Sequence, residues 1–248
     1  MKPGTVVRVF AIFACGIGSV IAQTAPLTSQ QVESVDWSEA VSETPNPTDA
    51  HELDLRRSRN LSFNGTTGLR KPLDLETPDS NQGYGMSTYH AKLPTFPVSG
   101  SDAIVVGQVI GYQPFLSADR TTIYTELDVK VESVFKDNSS VLQSGADITI
   151  PRLGGALRLP NRQVVKYFVP KEEKLLEVGR RYVLFLNRDE KNRWFGIVKV
   201  WGLQDGRVIA VGQTDISDVA QGVSKYHGIS EPQFLQEVRD AVGQAASR

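Results

Sequence analysis

Ile123-Tyr124-Thr125-Glu126-Leu127-Asp128-Val129-Lys130-Val131-Glu132 is the stretch on which the fold turns. Apolar or β-branched residues at 123, 125, 127, 129 and 131 alternate with Tyr124, Glu126, Asp128, Lys130 and Glu132. A period of two assigns the two sets to opposite faces of a β-strand. The expectation is a strand with its odd-numbered face buried and its even-numbered face, starting at Thr122, in water. The apolar run continues to Phe135, long enough to bend around a barrel.

Working outward, Ala103-Ile104-Val105-Val106-Gly107-Gln108-Val109-Ile110 is nearly continuous in apolar, β-branched character. Such a run fits a strand with little solvent contact, and Gly107 inside it marks a bulge or bend. Downstream, Ile148 to Pro151 gives another strand. Gly154-Gly155 then leads into a hairpin, Ala156 to Leu159 against Gln163 to Val169, across Pro160-Asn161-Arg162. Tyr182 to Leu186 is the most apolar strand, and Trp194 to Trp201 and Arg207 to Val211 follow as two more arms. Short strands with turn signals every ten residues or so predict a mainly β barrel or sandwich.

Outside this core the pattern changes. Lys2 and Arg8 precede Val9 to Ala22, an apolar stretch interrupted by one polar side chain, so residues 1–22 have the form of a secretory signal peptide with cleavage before Gln23. The single cysteine, Cys15, lies within it, leaving the exported part without a disulfide or a thiolate metal site. Residues 23–99 are rich in Ser, Thr, Asp, Glu, Asn and Pro and follow no helical or strand period, which predicts a disordered or weakly ordered linker. Asn60 to Gly68 is turn chemistry throughout, and Tyr84, Tyr89 and Phe96 are candidates to dock onto the domain. Residues 100–214 form the β domain and 215–248 a tail. The tail carries a helix over about 231–243, with Ser230 as N-cap, Pro232 in the first turn and Gln233 completing a capping box. Phe234, Leu235, Val238, Ala241 and Val242 form its apolar stripe.

The order of these signals resembles the netrin-like module of tissue inhibitors of metalloproteinases. Asp102 to Val109, Tyr124 to Lys136 and Leu176 to Phe185 carry the likeness, and together with Gly154-Gly155 they also resemble a group of uncharacterised secreted bacterial proteins. The resemblance implies an OB-like (netrin/TIMP-like) small barrel with a C-terminal helix. It does not imply inhibition, because in that family an N-terminal Cys chelates the target's zinc and the chain after residue 22 has none.

Charge excludes one class of partner. The formal charge is -1 overall, and residues 100–214 hold thirteen acids against sixteen bases. No concentrated basic face of the kind that binds nucleic acid is expected. No stretch after residue 22 is long and apolar enough for a transmembrane helix. His51, His90 and His227 have no ligand spacing, so neither metal nor cofactor is expected. No nucleophile elbow or phosphate loop is present, and the adjacent carboxylates Glu172-Glu173 and Asp189-Glu190 are solvating charges. The candidate ligand-binding residues are Arg158, Arg162, Lys166 and Tyr167 on the hairpin, beside Arg152, Lys171 and Phe168. Cations there suit an anionic glycan or an acidic envelope protein, or simply protect an exposed strand from edge pairing. The expected function is a non-catalytic binding or adaptor module of the bacterial envelope, periplasmic or extracellular. The alternative is a hydrolase built on carboxylates such as Asp102, Asp128 and Asp205.

Overall fold

A computed structural model describes residues 49–65, 93–159, 162–167, 176–211 and 223–247. The expected signal segment, Tyr84, Tyr89 and His90 lie outside the described residues. The protein is mainly β. Six antiparallel strands form one sheet in the order β3-β2-β1-β6-β7-β8, where β1 is Ala103–Leu116, β2 Ile123–Asp137, β3 Asp147–Leu153, β6 Arg181–Asp189, β7 Trp194–Gln204 and β8 Arg207–Ala210. The hairpin expected after Gly154 pairs β4 (Gly155–Arg158) with β5 (Val164–Tyr167) as a two-stranded sheet of its own. The large sheet curls until β3 approaches β7, with no backbone ladder joining that pair among the described residues.

The near-continuous apolar character of β1 has a direct cause in packing. Ala103, Val105 and Val109 point into one core with Leu127, Val129, Val131, Ile150, Leu184 and Leu186. Ile104 and Val106 point into a second core with Val183, Phe185, Trp201 and Val208. Both rows of one strand are therefore buried, and a strand without a wet face cannot alternate.

The second core is closed by α3 (Glu231–Ala246), which follows a one-turn helix α2 (Val223–Tyr226). Phe234 and Val238 are fully buried there. Phe96 adds a ring 5.5 Å from Phe234 and 5.1 Å from Tyr226, so of the three aromatic residues expected to dock, the one in the described residues does. The capping box does not form. Ser230 makes no side-chain cap bond, and Gln233 Nε2 donates along the helix to Glu237 Oε1 at 3.4 Å. The Gly206 carbonyl accepts from the Glu231 N–H at 2.7 Å, so the β7–β8 turn lies against the helix start and satisfies one of the donors that have no partner within the helix.

The larger departure is upstream. Within the stretch expected to be a linker, α1 (Ala50–Ser62) is an α-helix whose N-cap, Asp49, accepts from the Glu52 N–H at 2.9 Å. It lies over the even-numbered row of β2, the row expected to face water. Tyr124 and Glu126 are buried there, and alternation resumes only with Asp128, Lys130 and Glu132, which are exposed. The hidden helix and the buried polar row have one explanation, since each covers the other.

The register of β1 against β2 shifts between Val106 and Gly107, where the sequence placed a bulge. A Cβ on Gly107 would lie 2.6 Å from Val129 Cγ1 and 3.1 Å from the Lys130 carbonyl oxygen. We expect Gly107→Ala to lower stability by about 1–3 kcal/mol through overpacking, measured as a lower urea midpoint at unchanged slope; an unchanged midpoint would count against this packing.

Candidate functional site

The hairpin places the four sequence-selected residues on one short ribbon. Arg158 lies opposite Val164, position 166 opposite Ala156 and position 167 opposite Gly155. Lys166 and Tyr167 thus occupy opposite rows of the ribbon. Leu157 packs with Ile123, Leu116 and Val165 and ties one row to the large sheet. The loop is closed by Leu159 N–H to the Gln163 carbonyl at 2.7 Å and Arg162 N–H to the Leu159 carbonyl at 2.8 Å. Arg162 is exposed, with φ 67, and Arg158 is half-buried. Phe168 and Lys171 lie outside the described residues.

The carboxylates of the alternative reading do not meet. Asp102 precedes Ala103, which pairs with Asp137, whereas Asp128 pairs with Gly111, roughly 25 Å further along β1 at about 3.3 Å per residue. Asp102 Oδ2 accepts from the Arg188 N–H at 2.9 Å, a structural bond at the end of β6. Asp205 is exposed in the β7–β8 turn, with φ 50.

The densest polar constellation is one that sequence reasoning missed, beneath α1. Arg56 and Arg59, three residues apart on one helix face, both reach Glu126 Oε2, at 3.2 Å and 3.4 Å. Arg56 lies over Phe115, 3.7 Å from the ring centroid, and Arg59 lies 5.9 Å from Trp194. Phe63, one further turn along, stacks on Tyr124 at 4.1 Å and 11°. Tyr124 donates its hydroxyl to Asn60 Oδ1. Asn192, buried at the β6–β7 turn, ties that turn to α1. Its carbonyl accepts from Arg59 Nε at 3.1 Å and its Oδ1 from Ser58 at 2.8 Å, while its Nδ2 donates to Ser62 at 3.1 Å and to Asp189 at 2.8 Å.

Burial pushes the Glu126 carboxyl above its ordinary range; Arg56 and Arg59 pull it down, and Asp128 and Glu52 add to the rise. Asp128 shifts the same way, first through crowding by neighbouring protein atoms and then through Asp147. For Asp189 the balance reverses: burial would raise it, but hydrogen bonds from Asn192 and Trp194 hold it below the usual range. Asp-x-x-Glu at Asp49 and Glu52, and Arg56, Arg59 and Phe63 at helical spacing, were the available signals. They were obscured because the buried face of α1 is cationic rather than apolar.

A third location is a cavity of about 210 Å³ lined by Glu177, Arg180, Arg181, Tyr182 and Gln204, among others. Its cations are committed internally. Arg181 pairs with Glu132 at 2.8 Å and Glu231 at 2.9 Å, and Arg180 with Glu177 at 2.6 Å. Tyr182 donates no proton readily, because burial first, with Glu177's charge, pushes its hydroxyl up to about 12. The histidines stay separate: His51 accepts from Arg193 at 2.7 Å, and His227 is exposed between α2 and α3. No helix among the described residues is long and apolar enough to cross a membrane.

No family model matches the chain, and neither does any curated protein.

Two substitutions test the junction. Glu126→Ala strands two largely buried guanidinium groups and should cost about 3–5 kcal/mol, as breaking a buried ion pair does; Glu126→Gln keeps an acceptor and should cost less. Because the folded-state value of Glu126 is raised, the fold favours its protonated form, and the resulting contribution to stability is full below the ordinary carboxylate pKa, about 4.3, and is lost as pH rises through the folded value. Denaturant unfolding at pH 4 to 7 should therefore show the gap between the native chain and Glu126→Gln shrinking as pH rises. A gap independent of pH would contradict a buried, titrating Glu126.

Proposed function

We propose that this chain is an exported, non-catalytic binding module whose curled sheet is an OB-like barrel of netrin type, and that the β4–β5 ribbon is its ligand-binding element. The observation that carries this reading is the separateness of the ribbon. It pairs outside the six-stranded sheet, is anchored by Leu157 and Val165, and projects Arg162 into solvent. Elsewhere charges face one another: Arg56 and Arg59 face Glu126, and Arg181 faces Glu132 and Glu231. Groups paired in this way hold the domain together, whereas the tip of the ribbon carries Arg162 in water. Arginine suits carboxylate and sulfate or phosphate groups through its planar fork, so the ligand class is an anionic glycan or an acidic protein of the envelope.

Export rests on residues 1–22, whose cationic start and apolar run have the form of a cleavable signal. Mass spectrometry of the protein recovered outside the cytoplasm should find Gln23 as its first residue; a product beginning at Met1 and retained in the cytoplasm would overturn the export reading. Binding is tested by neutralising Arg158, Arg162 and Lys166 together. Retention on purified cell envelope should fall to background while circular dichroism stays unchanged, and unaltered retention by the folded triple variant would refute the ribbon as the binding element.

A further inference from the structure

The face of β2 around Glu126 is built like a recognition site whose occupant happens to belong to the same chain. None of the three hydrophobic clusters among the described residues includes a residue of α1, whose one buried apolar side chain is Leu55. The α1 backbone meets the β1–β2 connection where the Asn60 carbonyl accepts from the Ala118 N–H at 3.2 Å. Otherwise it is held by side chains, through Arg56, Ser58, Arg59, Asn60 and Ser62, with Phe63 at its end. Charged and amide groups around stacked rings are the composition of a protein–protein interface more than of a domain core.

The fit is also incomplete. Both guanidinium groups crowd onto Glu126 Oε2. The other oxygen, Oε1, is buried without a hydrogen-bond partner among the described residues, on a side chain only 6% exposed. A carboxylate binds a guanidinium best when both oxygens meet the fork in parallel. Glu126 therefore retains unused acceptor capacity inside a cage of Phe115, Tyr124 and Trp194, whose faces suit a planar cation.

We propose that this face of the sheet is a binding site for an arginine-bearing helix, with α1 as its detachable internal occupant. The pattern it reads is Arg-x-x-Arg-x-x-x-Phe, as in Arg56, Arg59 and Phe63: two forks for Glu126 and the Asn192 carbonyl, and a ring for Tyr124. A helix entering a groove through residues three, four and seven apart is a common recognition mode. Here the groove is acidic and aromatic where most are apolar.

The test uses the full chain carrying R56E and R59E, which reverses the charge on the internal helix and vacates the site. A labelled peptide spanning residues 49–65 with its native arginines should bind this variant at least about tenfold more tightly than it binds the native chain, where the tethered helix competes at high effective concentration. A peptide with both arginines replaced by alanine should not bind. Equal binding to both chains, or none to the folded variant, would overturn the proposal. Hydrogen exchange on the native chain decides the matter should R56E/R59E fail to fold. Amides of residues 53–63 should then exchange at least about tenfold faster than those of Val183 to Leu186 by local opening, whereas matching rates would make α1 an inseparable part of the domain.

Discussion

β1 is buried on both faces, and the rest of the architecture follows from having to cover it. Its inward row is covered by the curl of the sheet, which brings Leu127, Val129, Ile150 and Leu184 over Ala103, Val105 and Val109. Its outward row needs a second layer, and α3 supplies one with Phe234 and Val238, supported by Phe96 and Tyr226. Without cysteine pairs to staple it, a domain of this size depends on these two apolar contacts for its stability. The bulges along β1 permit the arrangement. Each register shift interrupts the β1–β2 ladder locally and bends the strand, which helps the sheet to curl.

Electrostatics acts at the margins of that framework. Arg181 joins β6 to β2 through Glu132 and to the first turn of α3 through Glu231, where a carboxylate also complements the helix dipole. Asp102 anchors the end of β6 by accepting from the Arg188 N–H. These pairs tie β1, β2, β6 and the start of α3 to one another.

The strands were legible in the sequence because their cause is local and apolar. Ile123 to Phe135 carries a period of two, Ala103 to Ile110 and Tyr182 to Leu186 are nearly continuous apolar runs, and the C-terminal helix shows its stripe plainly. Legibility failed where a polar residue is buried by another polar residue. Tyr124 and Glu126 alternate as a wet face would, and only the arrival of α1 turns them inward. α1 itself gives no apolar stripe, since its buried members are Leu55 and Arg59. Arginine stems can cover apolar surface while their heads find a charge, but neither half of that partnership is visible without the other. The hairpin was legible as a ribbon, and its charges were legible as charges. That they line one ribbon rather than a cleft follows from the pairing of Ala156 with Lys166, which spacing alone does not determine.

The two helices that cover the outer face show how the chemistry of a contact governs its permanence. α3 is held by side chains with no good alternative in water, and removing it would expose Phe234, Val238 and the strand beneath them at about 25 cal/mol for each Å² of apolar surface. Apart from Leu55 and the Phe63–Tyr124 stack, α1 is held by groups that water solvates well on both sides. Releasing it rehydrates Arg56, Arg59 and Glu126, and that gain offsets much of what is lost in their pairing. An apolar cover belongs to the fold, because its undocked state is strongly unfavourable. A charged cover lies closer to balance, and closeness to balance is what makes a docking surface exchangeable. The carboxylate that turns β2 inward is for the same reason the group through which that surface would select an arginine-bearing partner.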